Sequence, residues 1–176
     1  ILLAESCRAR ISILQNASDR SLRWLQTVDL TLDIGTMFYW FEVPRITACR
    51  TLAAQDSPAD LKQGLETLAC YAAENQAVHN VRQLIDITAL QAVISEKLGN
   101  HDEAARFVQR SLDLAEPGGW IQPFVELGDP MASLLRSRRS RAVTDQFAER
   151  VIAFFPESGP SSTSASPLHA KLKMEE

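Results

Sequence analysis

The chain has 176 residues, 45% of them hydrophobic and 23% charged, with a net charge of −4. That length supports one domain or one repeat array with a substantial core, and the acidic balance excludes a global attraction to nucleic acid or anionic membrane. Three cysteines, Cys7, Cys49 and Cys70, are odd in number and widely spaced, which excludes a disulfide framework and suits a reducing cytosol. Seven glycines and only two tyrosines argue against an all-β chain. No apolar run approaches the roughly 20 residues of a membrane span. The start, Ile1-Leu2-Leu3-Ala4, is too short and lacks the basic residues of a secretory signal. The first residue is not methionine, as expected of a fragment or a trimmed chain.

Residues 1–15 read as a first helix, with Leu3, Cys7, Ile11 and Leu14 near one face. Asn16-Ala17-Ser18-Asp19 breaks it and offers a cap. Leu22, Leu25 and Val28 mark a second helix and hence a hairpin. Residues 32–39 are irregular around Gly35. A third helix runs from about Trp40 or Pro44 to Ala54. Ser57-Pro58 opens a fourth, with Ser57 as N-cap, Pro58 in the first helical position and Asp60 in the first turn. Its stripe is Leu61, Leu65, Leu68 and Ala72.

The next helix is expected from about Ala77 to Leu98 and is expected to be the longest. It carries two apolar stripes, Val81-Leu84-Thr88-Ala92 and Ile87-Leu90-Ile94-Leu98, the pattern of a helix sandwiched between neighbours. Leu61 and Leu65 correspond to Ala104 and Val108 at the spacing of a degenerate helical repeat.

The stretch from Leu98 to Leu135 is the most informative. Asn100 is a candidate N-cap, with Glu103 in capping-box spacing. Ala104, Val108, Leu112 and Ala115 then form one stripe. Glu116-Pro117-Gly118-Gly119 ends that helix, because the residue before proline avoids the helical region and glycine accepts positive φ. Gly128-Asp129-Pro130 is a second break of the same kind, with Gly128 suited to a left-handed helix end. A last helix is expected from Val143 to Phe155. The domain is therefore expected over 1–155. The Ser/Pro-rich segment 156–176 is expected to be a disordered tail, since it cannot bury enough apolar surface to order itself.

Catalytic and metal motifs are absent. There is no G-x-x-x-x-G-K-[ST] phosphate loop, no nucleophile elbow and no H-E-x-x-H helix. His79, His101 and His169 share no ligand spacing with one another or with the cysteines, so no metal and no cofactor is expected. Asp86 and Glu96 read as parts of solvated polar faces. No residue supports an enzyme. Arg136-Ser137-Arg138-Arg139-Ser140-Arg141 is the one concentrated charge run. Arg136, Arg138, Arg139 and Arg141 read first as a solvated connection, and otherwise as an interdomain or phosphate contact. Aromatics cluster in Phe38-Tyr39-Trp40-Phe41, with Trp24, Trp120 and Phe124 elsewhere. Core filling accounts for at least half of them, and Met131 fills a core gap. A helical array binds on its concave face, which singles out Tyr39, Trp40, Arg45, His79, Arg82 and Trp120 as ligand-contacting candidates near helix starts and turns.

The motif G-N-H-D-E-A followed by S-L-D-L-A-E-P resembles the second helix of a tetratricopeptide hairpin. The tail of that stretch, P-G-G-W-I-Q-P-F-V-E-L-G-D-P-M-A-S-L-L, resembles the end of the helical sensor region in LuxR-family, MalT-like ATP-dependent transcriptional regulators. Glu42-Val43-Pro44-Arg45 through Leu52-Ala53-Ala54-Gln55 is similar to that region too. The resemblance covers about residues 1–155. It implies an all-α fold of stacked helix hairpins in a tetratricopeptide-like, right-handed superhelical array. It also implies the effector-sensing or protein-interaction segment of a bacterial, cytoplasmic regulator. The expected partners are an unidentified small-molecule inducer or protein, the parent regulator's other modules, and a second copy. No membrane is expected among them. The family's ATPase and helix-turn-helix motifs do not occur in this sequence, so this chain alone is expected neither to hydrolyse ATP nor to bind DNA specifically. The alternative reading is a free-standing adaptor that binds a peptide or a partner helix.

Overall fold

The structure is a computed structural model that describes residues 2–28, 43–55, 57–139 and 145–156. Among these residues lie nine α-helices, one 3-10 turn and no strand. The helices are α1 (Leu2–Leu14), α2 (Ser18–Thr27), α3 (Pro44–Ala53), α4 (Pro58–Ala77), α5 (Val81–Lys97), α6 (His101–Ala115), α7 (Gln122–Val125), α8 (Gly128–Arg139) and α9 (Gln146–Ile152). The expected tail, 156–176, lies outside the described residues beyond Pro156.

Three hairpins stack. The pairs are α1 with α2, α3 with α4, and α5 with α6, each packed together. The first helices of the pairs also touch in sequence, α1 on α3 and α3 on α5, and α7 continues the row on α5. They form one layer of an all-α repeat array.

Local chemistry places the helix ends. Pro44 and Pro58 each open a helix in the first turn, after an extended residue. Asn80 caps α5 through its side chain, which accepts from the Gln83 amide. Asp145 caps α9 the same way, accepting from Phe147 and Ala148 at 3.0 and 3.1 Å. The capping box expected at Asn100 does not form. Asn100 holds the cap position without a side-chain bond, and Glu103 accepts instead from the Ser95 hydroxyl at 3.5 Å.

Four helices end on one motif. Asn16, His79, Gly99 and Gly119 take positive φ. In each case the next amide bonds back to a carbonyl five residues earlier, for example Asn100 to the Ser95 carbonyl at 2.9 Å. A Cβ on Gly99 would meet nothing within 4 Å, and its φ is +80°. The residue is therefore required by backbone conformation alone. Gly99→Ala should lower the unfolding free energy by about 1–2 kcal/mol, read from a urea titration.

The sequence placed the helices better than their faces. The expected stripe of α1 does not enter the core. Ser6, Ala9 and Ser12 are buried instead, while Ile11 and Leu14 are about half exposed. Small residues let α1 lie close to its neighbours, with Ala9 packed beside Trp24 and Ala48. In α2 the buried residues are Ser21 and Trp24, and Leu25 and Val28 only flank them. α4 buries Leu61 and Leu68 as expected, together with Gly64, Tyr71 and Asn75.

The expected helix from Ala77 is interrupted at His79. α4 continues to Ala77 and, at 20 residues, is longer than α5 at 17. The two-sided burial of α5 is as expected. Ile87, Leu90 and Ile94 pack with α3 and α4, whereas Ile85, Ala89, Ala92 and Val93 join a second core with Val108, Leu112, Phe124, Met131 and Phe147. α5 is thus the shared wall between two cores.

Candidate functional site

α1, α3 and α5, together with α7 and the residues flanking it, line an open cavity of about 780 Å³. Its floor is a network of five charges from four elements. Arg50 of α3 is 9% exposed and lies 3.7 Å from Asp86 of α5 and 3.3 Å from Glu126, just beyond α7. Arg10 of α1 donates to Glu126 across the cavity. Arg82 donates to Asp86 one helical turn away. Gln122 also donates to Glu126, at 2.8 Å.

The two acids are shifted in opposite directions. Burial pushes the Asp86 carboxyl above the ordinary aspartate range, and the Arg50 and Arg82 charges only partly offset it. Burial also works to raise Glu126. There the hydrogen bond from Arg10 and the charges of Arg50 and Arg10 outweigh it, holding that carboxyl below the usual glutamate range.

At the rim, the Arg82 guanidinium sits over the Trp120 ring, 5.3 Å from its centroid. Trp120 stays 46% exposed. Its backbone is set by the turn, with its amide bonded to the Ala115 carbonyl at 3.1 Å. Gly118 makes room for the indole, since a Cβ there would lie 2.0 Å from Trp120 Nε1. Gln83, which also lines the groove, is buried and accepts from the Tyr71 hydroxyl, while its amide nitrogen has no partner among the described residues. A neighbouring cavity of about 580 Å³ shares Leu14, Arg50 and Glu126 with the first. The exposed side of α1, with Ile11 and Leu14, faces into the groove.

Of the candidates read from sequence, the structure brings Arg82 and Trp120 together at this groove. Arg45 does not line it. It is bonded to Glu74 at 2.8 Å and lies over Tyr71 at 5.4 Å. His79 is an exposed turn residue at φ +54°, also outside the lining. Tyr39 and Trp40 lie outside the described residues. Two arginines of the run from Arg136 to Arg141 are described by their side chains. Arg136 donates to the Pro156 carbonyl at 2.9 Å, whereas Arg138 is half-buried at a different cavity. The Arg139 side chain and Arg141 lie outside the described residues.

Sequence reading passed over Arg10, Arg50, Gln83 and Glu126. It also assigned Asp86 to a solvated face, and the structure corrects that reading, because Asp86 is a buried member of the network. A signal existed. Asp86 interrupts Leu84-Ile85 and Ile87, and Arg50 interrupts the apolar and small run from Ile46 to Ala53. A charge inside such a run requires a partner.

The arrangement suits binding. Burial pushes the Cys49 thiol up to about 12, too high for a nucleophile. Among the described residues no group of three or more His, Cys, Asp or Glu is placed to hold a metal. No helix among them is long and apolar enough to cross a membrane.

The family model described as the MalT-like TPR region matches residues 1–141. No curated protein and no solved structure matches the chain. The matched span runs from α1 through α8, all three hairpins and the groove-lining residues included, and the chain belongs to the MalT-like tetratricopeptide region family.

Proposed function

We propose that this chain is the effector-sensing segment of a MalT-like transcriptional regulator and that the effector binds the groove floored by Arg10, Arg50, Asp86, Arg82 and Glu126. A MalT-like TPR region is a sensing and protein-interaction segment of such regulators. The carrying observation is the buried charge network under an exposed Trp120. Buried ion pairs are an expensive way to stabilise a core, whereas a polar floor with an aromatic rim is what an oriented ligand needs. Binding would work through the hairpins. The network joins α1, α3, α5 and the α7 region, so a ligand that engages it favours one arrangement of the stack over others. Neighbouring modules of the parent regulator would read that bias, in a cytoplasmic protein. The segment acts by binding and not by catalysis.

The adaptor reading draws on a different observation. Ile11 and Leu14 present an exposed apolar edge along the groove, and a peptide or partner helix could lie on it.

A thermal-stability screen against a metabolite panel tests the effector reading. A ligand at 100 times its dissociation constant adds about 2.7 kcal/mol to stability. Trp120→Ala should then weaken binding by about tenfold or more, because exposed aromatic anchors carry a large share of binding energy. Its helicity should be unchanged. Gly118→Ala should weaken binding too, by displacing the indole from Arg82. A confirmed ligand whose affinity ignores both variants would place the site elsewhere.

A further inference from the structure

A second cavity, of about 510 Å³, lies between α6 and α8 and does not share the groove's residues. Arg106, Arg138, Glu96, His101, Val108 and Leu134 line it. Its charge is unevenly matched. Glu96 is held by His101 at 3.0 Å. Arg106 uses its Nε on the Asp102 carbonyl at 3.3 Å, which leaves the fork of its guanidinium open. Arg138 is half-buried, and its Nη1 is enclosed with no acceptor among the described residues. A guanidinium that has given up part of its hydration without gaining an acceptor is under-compensated, and an oxyanion in the cavity would offset that charge from the side that lines it. Guanidinium forks match carboxylate and phosphate oxygens in charge and geometry. Val108 and Leu134, both buried, supply an apolar wall beside the two arginines. The volume lies in the range of small-molecule sites.

We infer that this cavity is a second ligand site, for a small organic anion. Its carboxylate or phosphate accepts hydrogen bonds from Arg138 and Arg106, and its apolar body packs on Val108 and Leu134. Glu96 stands at the edge of the cavity and limits the charge the ligand carries. The site is independent of the groove.

Titration of the full chain with phenyl phosphate, benzoate, inorganic phosphate and benzyl alcohol, followed by backbone amide shifts, tests this. Phenyl phosphate and benzoate should shift amides of α6 and α8, and which binds tighter tells a phosphate site from a carboxylate site. Inorganic phosphate should bind more weakly, for want of the apolar body, and the neutral alcohol should not bind. Arg138→Gln and Arg106→Gln should each weaken the anion by about tenfold, the value of one charge-assisted hydrogen bond. Arg106 is exposed, so its variant remains informative if the Arg138 variant does not fold. Trp120→Ala should leave this binding unchanged, so failure here and failure of the groove reading are separate results. Equal shifts with benzyl alcohol, unaltered affinity in the arginine variants, or no anion binding at all would overturn the inference.

Discussion

Glu126→Ala should cost about 3–5 kcal/mol of stability, a substantial share of what a domain of this size possesses. The side chain it removes is 13% exposed and neutralises two arginines, Arg10 and Arg50, from two different hairpins. Arg50, at 9% exposure, would lose the nearer of its two carboxylates, at 3.3 Å, and keep Asp86 at 3.7 Å. The cost is that of leaving a buried charge underpaired, and exceeds the attraction lost. Urea unfolding of the wild type, Glu126→Ala and Glu126→Gln reads it directly. The glutamine keeps the shape and one acceptor, so it should fall between the other two.

The same variants carry a pH signature. Glu126 has a folded-state value below its unfolded one. Its contribution is therefore present above the ordinary glutamate range and is lost as pH falls through the lowered folded value. Asp86 has the opposite sign. Its folded value is raised, so stability declines as pH rises from its unfolded value through its folded one and is level above that. Glu126→Gln should flatten the acid limb of the stability curve, and Asp86→Asn should steepen it. Parallel curves for all three proteins would show that the network does not control acid stability.

Phe124→Ala should cost about 3–5 kcal/mol as well, by leaving a cavity in the second core. Phe124 is fully buried and meets Phe147 edge to face, with ring centroids 6.3 Å apart at 75°. It lies on a helix of only four residues, α7, which has too few internal hydrogen bonds to stand alone. Phe124 is what seats that helix on α5 and α8. Glu126 follows two residues later, so the variant should also loosen the groove. A stability loss with effector binding unaltered would mean that α7 does not position the site.

The contrast between helix ends and helix faces explains what could be read in advance. Pro44, Pro58, Asn16, Gly99 and Gly119 act on their own backbone through φ, a missing donor or a local bond. Such effects need no distant partner, so the sequence by itself determined the order of the helices and the breaks at these residues. The two-sided pattern of α5 likewise announced a helix between two neighbours, and P-G-G-W carried the turn that presents Trp120. The interruption at His79 was missed, because a histidine in a left-handed turn gives no compositional signal as strong as glycine.

Which face of α1 is buried was decided by packing. Ser6, Ala9 and Ser12 are poor hydrophobes, but they permit a close approach that Ile11 and Leu14 would block. The groove floor was beyond the sequence for a related reason. Arg10 and Glu126 are 116 residues apart, and nothing local to either marks the other as its partner. Apolar periodicity reports which residues leave water, whereas an ion pair depends on which helices meet and at what register. Only the stacking of the hairpins settles that, and with it brings Arg10, Arg50, Asp86 and Glu126 beneath Trp120.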